Sequence, residues 1–273
     1  MPSVLVVPLD GSDFAQRAVP VACRFAVAFD AEVVAVTTPQ TTEEGAQLES
    51  PAWLTALTAD TPDARIRTVV AAADDPAHAV AELVAQTEGA AVCMATHARG
   101  AIGSAALGNV AQRVLREVPT PVLLVGRHCV IDDADHGPMV VAHDGSEAAD
   151  AVLAPALAWA SACGFPLVLV HVYHPLDVVS PERLDDAVVS AHTRLGVGAR
   201  LEVVASSFPA GAIRDLAHEL DASAIAISTH GHTGAASVSM GRVASWVTRE
   251  SPCPVLTVRP AKLSDETAAP AGG

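Results

Sequence analysis

Along this chain, short and nearly unbroken apolar runs alternate with longer stretches whose apolar positions recur every three or four residues. That alternation predicts βαβ units around a parallel sheet, because a strand covered by helices on both faces needs no polar side. Runs at 3–9, 31–37, 65–71, 90–96 and 121–126 predict five strands, and runs at 138–143, 166–173, 199–205, 223–229 and 254–259 predict five more. Helices are expected over Asp13 to Phe29, Ala77 to Gln86 and Asn109 to Glu117, then over Glu147 to Cys163, Ala210 to Leu220 and Arg242 to Glu250. Residues 40–64 and 175–195 join second strand to third in each half and have room for a helix.

The two halves are copies of one another. Val4 to Ser12 recurs as Met139 to Ser146, which sets Asp10 against Asp144 at an offset of 134 residues. After one deletion the offset becomes 133, matching Asp75-Pro-Ala77 with Phe208-Pro-Ala210, Thr96-His97 with Thr229-His230, and Gly108 with Gly241. A register held over so long a stretch marks a duplicated domain. The fold class is therefore α/β: two tandem, doubly wound, five-stranded parallel-sheet domains of Rossmann-like type, at 1–130 and 138–262. Arg127 to Pro138 has the breakers and charges of a linker, and Ala261 to Gly273 the composition of a frayed tail.

Charge narrows the partners. There are 16 basic and 31 acidic residues, net −15, with no Lys/Arg run to follow a phosphate backbone, so nucleic acid is disfavoured. The same balance disfavours an anionic membrane surface, no apolar run is long enough to span a bilayer, and the first ten residues lack a basic leader. A cytoplasmic setting is expected. Five isolated cysteines without a C-x-x-C pair read as buried reduced thiols. His171-Val-Tyr-His174 and His230-Gly-His232 lack partner ligands at a zinc spacing, so no metal is expected.

In an open parallel sheet, ligands bind at the carboxyl ends of the strands near the point where strand order reverses. Two segments of each copy meet there. The first is the strand-one end, Pro8-Leu-Asp10-Gly-Ser12 and Ala142-His-Asp144-Gly-Ser146. Its Asp could accept hydrogen bonds from ribose hydroxyls or an amine, but Asp-Gly-Ser also builds a turn and caps a helix, and the residues alone favour the latter. The second is the strand-four loop, Ala95-Thr-His-Ala98 leading to Gly108-Asn109, and Ser228-Thr-His-Gly231 leading to Gly241-Arg242. A glycine before a helix N-terminus lets backbone N–H groups approach a phosphate, and the same pattern serves an ordinary loop and cap.

Together these motifs, with the Pro-Val strand closing each copy, resemble the universal stress proteins, over nearly all of residues 3–260. The resemblance implies an adenine nucleotide alpha hydrolase-like fold, dimerisation through the last strand, and, in the family's nucleotide-binding branch, G-x2-G-x9-G-S/T at the strand-four loop. Ala95, Ala98, Gly108 and Asn109 take those places in the first copy, and Ser228, Gly231, Gly241 and Arg242 in the second. The strand-one Asp looks like the adenosine-side contact, as Asp10 and Asp144, beside Pro8 and Ala142. The adenine-side position is Thr38 in the first copy and Val172 in the second. With two motif glycines against one, the second copy is the better nucleotide site and the first the degenerate one.

No P-loop, nucleophile elbow or G-x-G-x-x-G after strand one is present, and no catalytic residue is identified; slow ATP hydrolysis stays open. Two readings remain. One is a regulatory binder of adenine nucleotide, ATP with Mg²⁺, in the second copy. The other is a tandem scaffold or small-ligand sensor acting through association with an unknown protein partner. A homodimer of tandem chains is the default in either case.

Overall fold

The predicted strands form, and their order places a cleft in each copy. The computed structural model describes residues 1–38, 52–59, 64–71, 75–96, 107–130, 137–175, 199–230 and 240–260. The expectations for 175–195 beyond its first residue, for the middle of the linker at 131–136 and for the tail at 261–273 lie outside those residues. In the first copy β1 (Val4–Pro8), β2 (Glu32–Thr37), β3 (Arg65–Val70), β4 (Ala90–Ala95) and β5 (Val122–Val125) pair in parallel in the order β3-β2-β1-β4-β5. The second copy repeats it with β6 (Met139–Ala142), β7 (Leu167–Tyr173), β8 (Ala199–Ala205), β9 (Ala224–Ser228) and β10 (Val255–Val258), in the order β8-β7-β6-β9-β10. β5 and β10 then pair antiparallel, Leu123 opposite Leu256, to make one ten-stranded sheet.

The helix expected over 13–29 is divided into α1 (Asp13–Gln16) and α2 (Ala18–Phe29). Pro20 has no N–H to give the Gln16 carbonyl, so an α-helix cannot run through unbroken. Pro155 has the same effect in the second copy, where α6 (Glu147–Asp150) and α7 (Leu153–Cys163) replace the single helix over 147–163. α3 (Ala52–Ala59) lies in the first strand-two-to-three connection. Chain order continues with α4 (Pro76–Gln86), α5 (Asn109–Glu117), α8 (Pro209–Glu219) and α9 (Arg242–Glu250). α4 and α8 start at a proline, where a missing N–H leaves no bond unmade.

Alternate residues of each strand face opposite layers, and the two layers differ. On one face a single core runs under both copies, from Leu5, Val7 and Leu123 to Met139, Val141 and Leu256, covered by α2 and α7. There Trp159 of α7 meets Phe29 at 4.9 Å and Phe25 at 5.5 Å, ring centre to ring centre, and Phe25 meets Phe165 edge-on at 6.2 Å. On the other face the cores of the two copies are separate clusters. The seam is closed by Thr257 Oγ1 donating to the Val122 carbonyl at 2.8 Å and by Arg24 donating to the Ser223 carbonyl at 3.1 Å. Gly126 is required there, since a Cβ would stand 2.7 Å from the Thr248 carbonyl oxygen.

All five cysteines are reduced thiols, and four are buried. Burial pushes the Cys93 thiol well up, and the Cys163 thiol up to about 12. Since the thiolate is the nucleophile, both should alkylate far more slowly than free cysteine at pH 8, and promptly once the chain is unfolded. Iodoacetamide labelling followed by peptide mass spectrometry checks this; prompt labelling of Cys163 in the folded protein would contradict the packing of α7.

Candidate functional site

Strand order reverses between β1 and β4 and again between β6 and β9, and each reversal opens a cleft at the strand ends. The first-copy cleft holds about 350 Å³ and the second-copy cleft about 310 Å³. In the second, Ala142, Asp144, Val172, Ser228, Gly241 and Arg242 share one wall system. In the first, Pro8, Asp10, Thr38, Ala95 and Gly108 do so, whereas Asn109 opens α5 beside the cleft without lining it. Ala98 and Gly231 lie outside the described residues.

The strand-one motifs build the turn and cap that their residue types favour. Asp10 Oδ1 accepts from the Ser12 N–H at 2.9 Å and the Ser12 hydroxyl at 2.6 Å, and Ser12 Oγ in turn accepts from the Ala15 N–H at 3.2 Å. The second copy repeats this, Asp144 Oδ1 to Ser146 at 3.0 and 2.5 Å, and Ser146 Oγ to the Ala149 N–H at 3.1 Å. Gly145, at φ +82°, supplies the left-handed step between them. One carboxylate oxygen of each Asp is thereby engaged by the turn while the residue still lines its cleft.

The glycines before α5 and α9 serve a different purpose. Gly108 and Gly241 have φ of −58° and −59°, which any residue adopts. Gly241 instead permits close approach: its N–H donates to the Thr229 carbonyl at 2.8 Å, and a Cβ there would lie 3.3 Å from that oxygen. Arg242 follows as the first residue of α9, exposed at the cleft, where helix dipole and guanidinium favour an anion together.

His143, in the same wall, is occupied. Its buried ring accepts from the Gly145 N–H at Nδ1, 3.0 Å, which leaves Nε2 to donate to Asp150 Oδ1, also 3.0 Å. Its backbone carbonyl receives His171 Nδ1 at 3.0 Å. The imidazole therefore acts as a brace between the strand end and α6.

Sequence reasoning missed the walls supplied by the helix after the third strand, Pro76 and Val80 in one copy and Pro209 and Ile213 in the other, although the repeated Pro-Ala step pointed there. It also missed Trp53 of α3, which lines only the first cleft. The clamp joining the two flanking helices differs as well. In the first copy Arg113 of α5 is paired with Asp75, at the start of α4, and with Glu117 at 3.0 Å. At the equivalent positions Trp246 of α9 meets Phe208 edge-on at 4.9 Å, with Arg214 5.3 Å above the indole.

Desolvation raises the Asp75 pKa, but hydrogen bonds from Arg113 and the Ala77 N–H outweigh it and hold the carboxyl below its ordinary 3.8. The sign follows from a depressed carboxylate: its support for the α4–α5 pair is present above the unfolded pKa and is lost as pH falls through the lower folded value. Lowering the pH from 6 to 3 should therefore reduce amide-exchange protection in α4, after correction for intrinsic rates, more than in α8. Equal loss in the two helices would contradict the ionic and aromatic assignment.

Fold and clefts define a tandem Rossmann-like α/β protein with one cleft at each topological switch point. The universal stress protein family profile matches residues 1–126 and 136–259, and the chain belongs to that family. A universal stress protein of Mycobacterium tuberculosis is 27% identical over 182 residues, covering 62% of this chain and 61% of that protein's length. A universal stress protein of solved structure from Archaeoglobus fulgidus is 18% identical and superposes with a TM-score of 0.67 over 95% of this chain and 99% of its own. Another from the same organism, solved in complex with dAMP, is 25% identical, with a TM-score of 0.35 over 46% of this chain and 98% of its own. Among the described residues no helix is long and apolar enough to cross a membrane, and no three His, Cys, Asp or Glu side chains are grouped to hold a metal ion.

Proposed function

We propose that this chain is a cytoplasmic stress-response regulator, with domains at 1–130 and 138–262, whose second cleft binds an adenine nucleotide. One observation carries the reading: Arg242 and the N-terminus of α9 open onto the same cleft as Asp144 and the apolar residues Val170, Val172, Ile213 and Ile227. The cationic end suits phosphates, the apolar wall suits a base, and Asp144 suits ribose hydroxyls. Mg²⁺ would arrive with the phosphates of ATP. Binding rather than turnover is the role, because His143, the buried imidazole of the wall, is held by Gly145 and Asp150 and is not placed to act as a base.

Association is the output we assign to binding. β5 and β10 already pair within the chain, so a homodimer of tandem chains, or a complex with another protein, would use surfaces other than those two edges. Photolabelling with 8-azido-ATP and peptide mapping tests the site. The label, which sits on the base, is expected in peptides spanning β7 and α8, which carry Val170, Val172 and Ile213; equal labelling of the matching first-copy peptides would contradict the assignment.

A further inference from the structure

The first-copy cleft differs from its partner in charge and in aromatic content, and both differences point the same way. Asp10 is the one charged residue among its described lining residues, whereas the second cleft sets Arg242 and His230 beside Asp144. The first residue of α5 is Asn109 where α9 has Arg242. The first cleft also has an indole, Trp53, which shares its lining with the apolar Leu9, Val36, Val80 and Met94 and with Thr37, Thr38 and Thr96. No aromatic side chain is among the described lining residues of the second cleft.

From these we infer that the first cleft is a site for a small organic cation, an ammonium group carried on an apolar, ring-sized body. An indole face attracts an ammonium through its quadrupole, and a carboxylate attracts it through charge. Both act against a phosphate. At about 350 Å³ the cleft reaches the lower end of the roughly 300 to 1,000 Å³ range of small-molecule pockets. The chain's net charge of −15 raises the local concentration of cations and lowers that of anions around it. The N-terminus of α5 is the opposing feature, since Gly108 lines the cleft, but it brings no cationic side chain and shares the cleft with the charge of Asp10. The inference is independent of nucleotide binding in the second copy, and either can fail alone.

The test is a charge series on one skeleton: phenethylamine, 2-phenylethanol and phenylacetate, titrated into the full chain labelled with 5-fluorotryptophan. The Trp53 fluorine resonance, identified by its loss in Trp53→Phe, reports the first cleft, and the resonance of core Trp159 reports an intact fold. The amine is expected to shift the Trp53 resonance at a concentration at least about tenfold below that needed for phenylacetate, with the alcohol between them. Asp10→Asn keeps an oxygen to accept from Ser12, so the turn survives, and it should remove most of the amine's advantage over the alcohol. The proposal is overturned if phenylacetate binds as tightly as the amine, if Asp10→Asn leaves the order unchanged, or if millimolar amine leaves the Trp53 resonance in place.

Discussion

Trp159→Ala is expected to cost about 3 to 5 kcal/mol of unfolding free energy, the range for removing a buried large aromatic. Trp159 is 2% exposed and lies between the two copies, against Phe25 and Phe29 of α2. Neither ring can follow into the space it leaves, because α2 is held on the sheet by Val19, Ala22 and Ala26, which are themselves buried. The core on this face is continuous, so the loss should appear in both copies together: one urea transition, shifted as a whole, by far-UV circular dichroism. Trp246→Ala is the control, since its partner Phe208 is 50% exposed and the pair belongs to the second copy alone; its cost should be smaller. A loss below about 1 kcal/mol for Trp159→Ala would mean that the copies are joined by the β5–β10 pairing without help from the aromatic layer.

Arg242→Glu should weaken ATP binding by about tenfold to a hundredfold or more, from one charge-assisted hydrogen bond lost and a repulsive carboxylate gained. Arg242 is exposed at the start of α9 and makes no part of the core, so the fold should tolerate the change, although the same carboxylate suits a helix N-terminus. The paired variant Asn109→Glu places the same charge at the start of α5 and should leave ATP affinity unchanged. Titration calorimetry of both variants decides the matter. Equal weakening in the two, or none in Arg242→Glu, would remove the phosphate role assigned to that residue.

Much of this fold was legible in the residues. The ten predicted strands agree with the observed ones to within a residue or so at each end, because Val/Ile/Leu runs bounded by Gly, Pro and Asp leave little room for another register. The helices expected over 13–29 and 147–163 have the right outer ends but were read as unbroken, because periodicity continues across Arg17 and across Ala151–Val152, while the breaks come from the missing N–H of Pro20 and Pro155. The strand-one Asp and Ser residues were legible as a cap, since that chemistry acts within five residues of sequence. Pairing over a distance was not. Nothing local says that Leu123 lies opposite Leu256, that Trp53 reaches the β1 end, or that the exchange of Asp75 and Arg113 for Phe208 and Trp246 swaps an ionic clamp for an aromatic one.

The central claim, that the second cleft holds an adenine nucleotide, is met most directly by extracting freshly purified protein under denaturing conditions, identifying what is released by mass spectrometry, and titrating ATP with and without Mg²⁺ into the stripped chain. The account predicts adenine nucleotide at about one per chain, or rebinding to that level at micromolar ATP. Two per chain would make the first cleft a nucleotide site as well, and no binding at millimolar ATP would contradict the claim and leave the tandem chain as a scaffold.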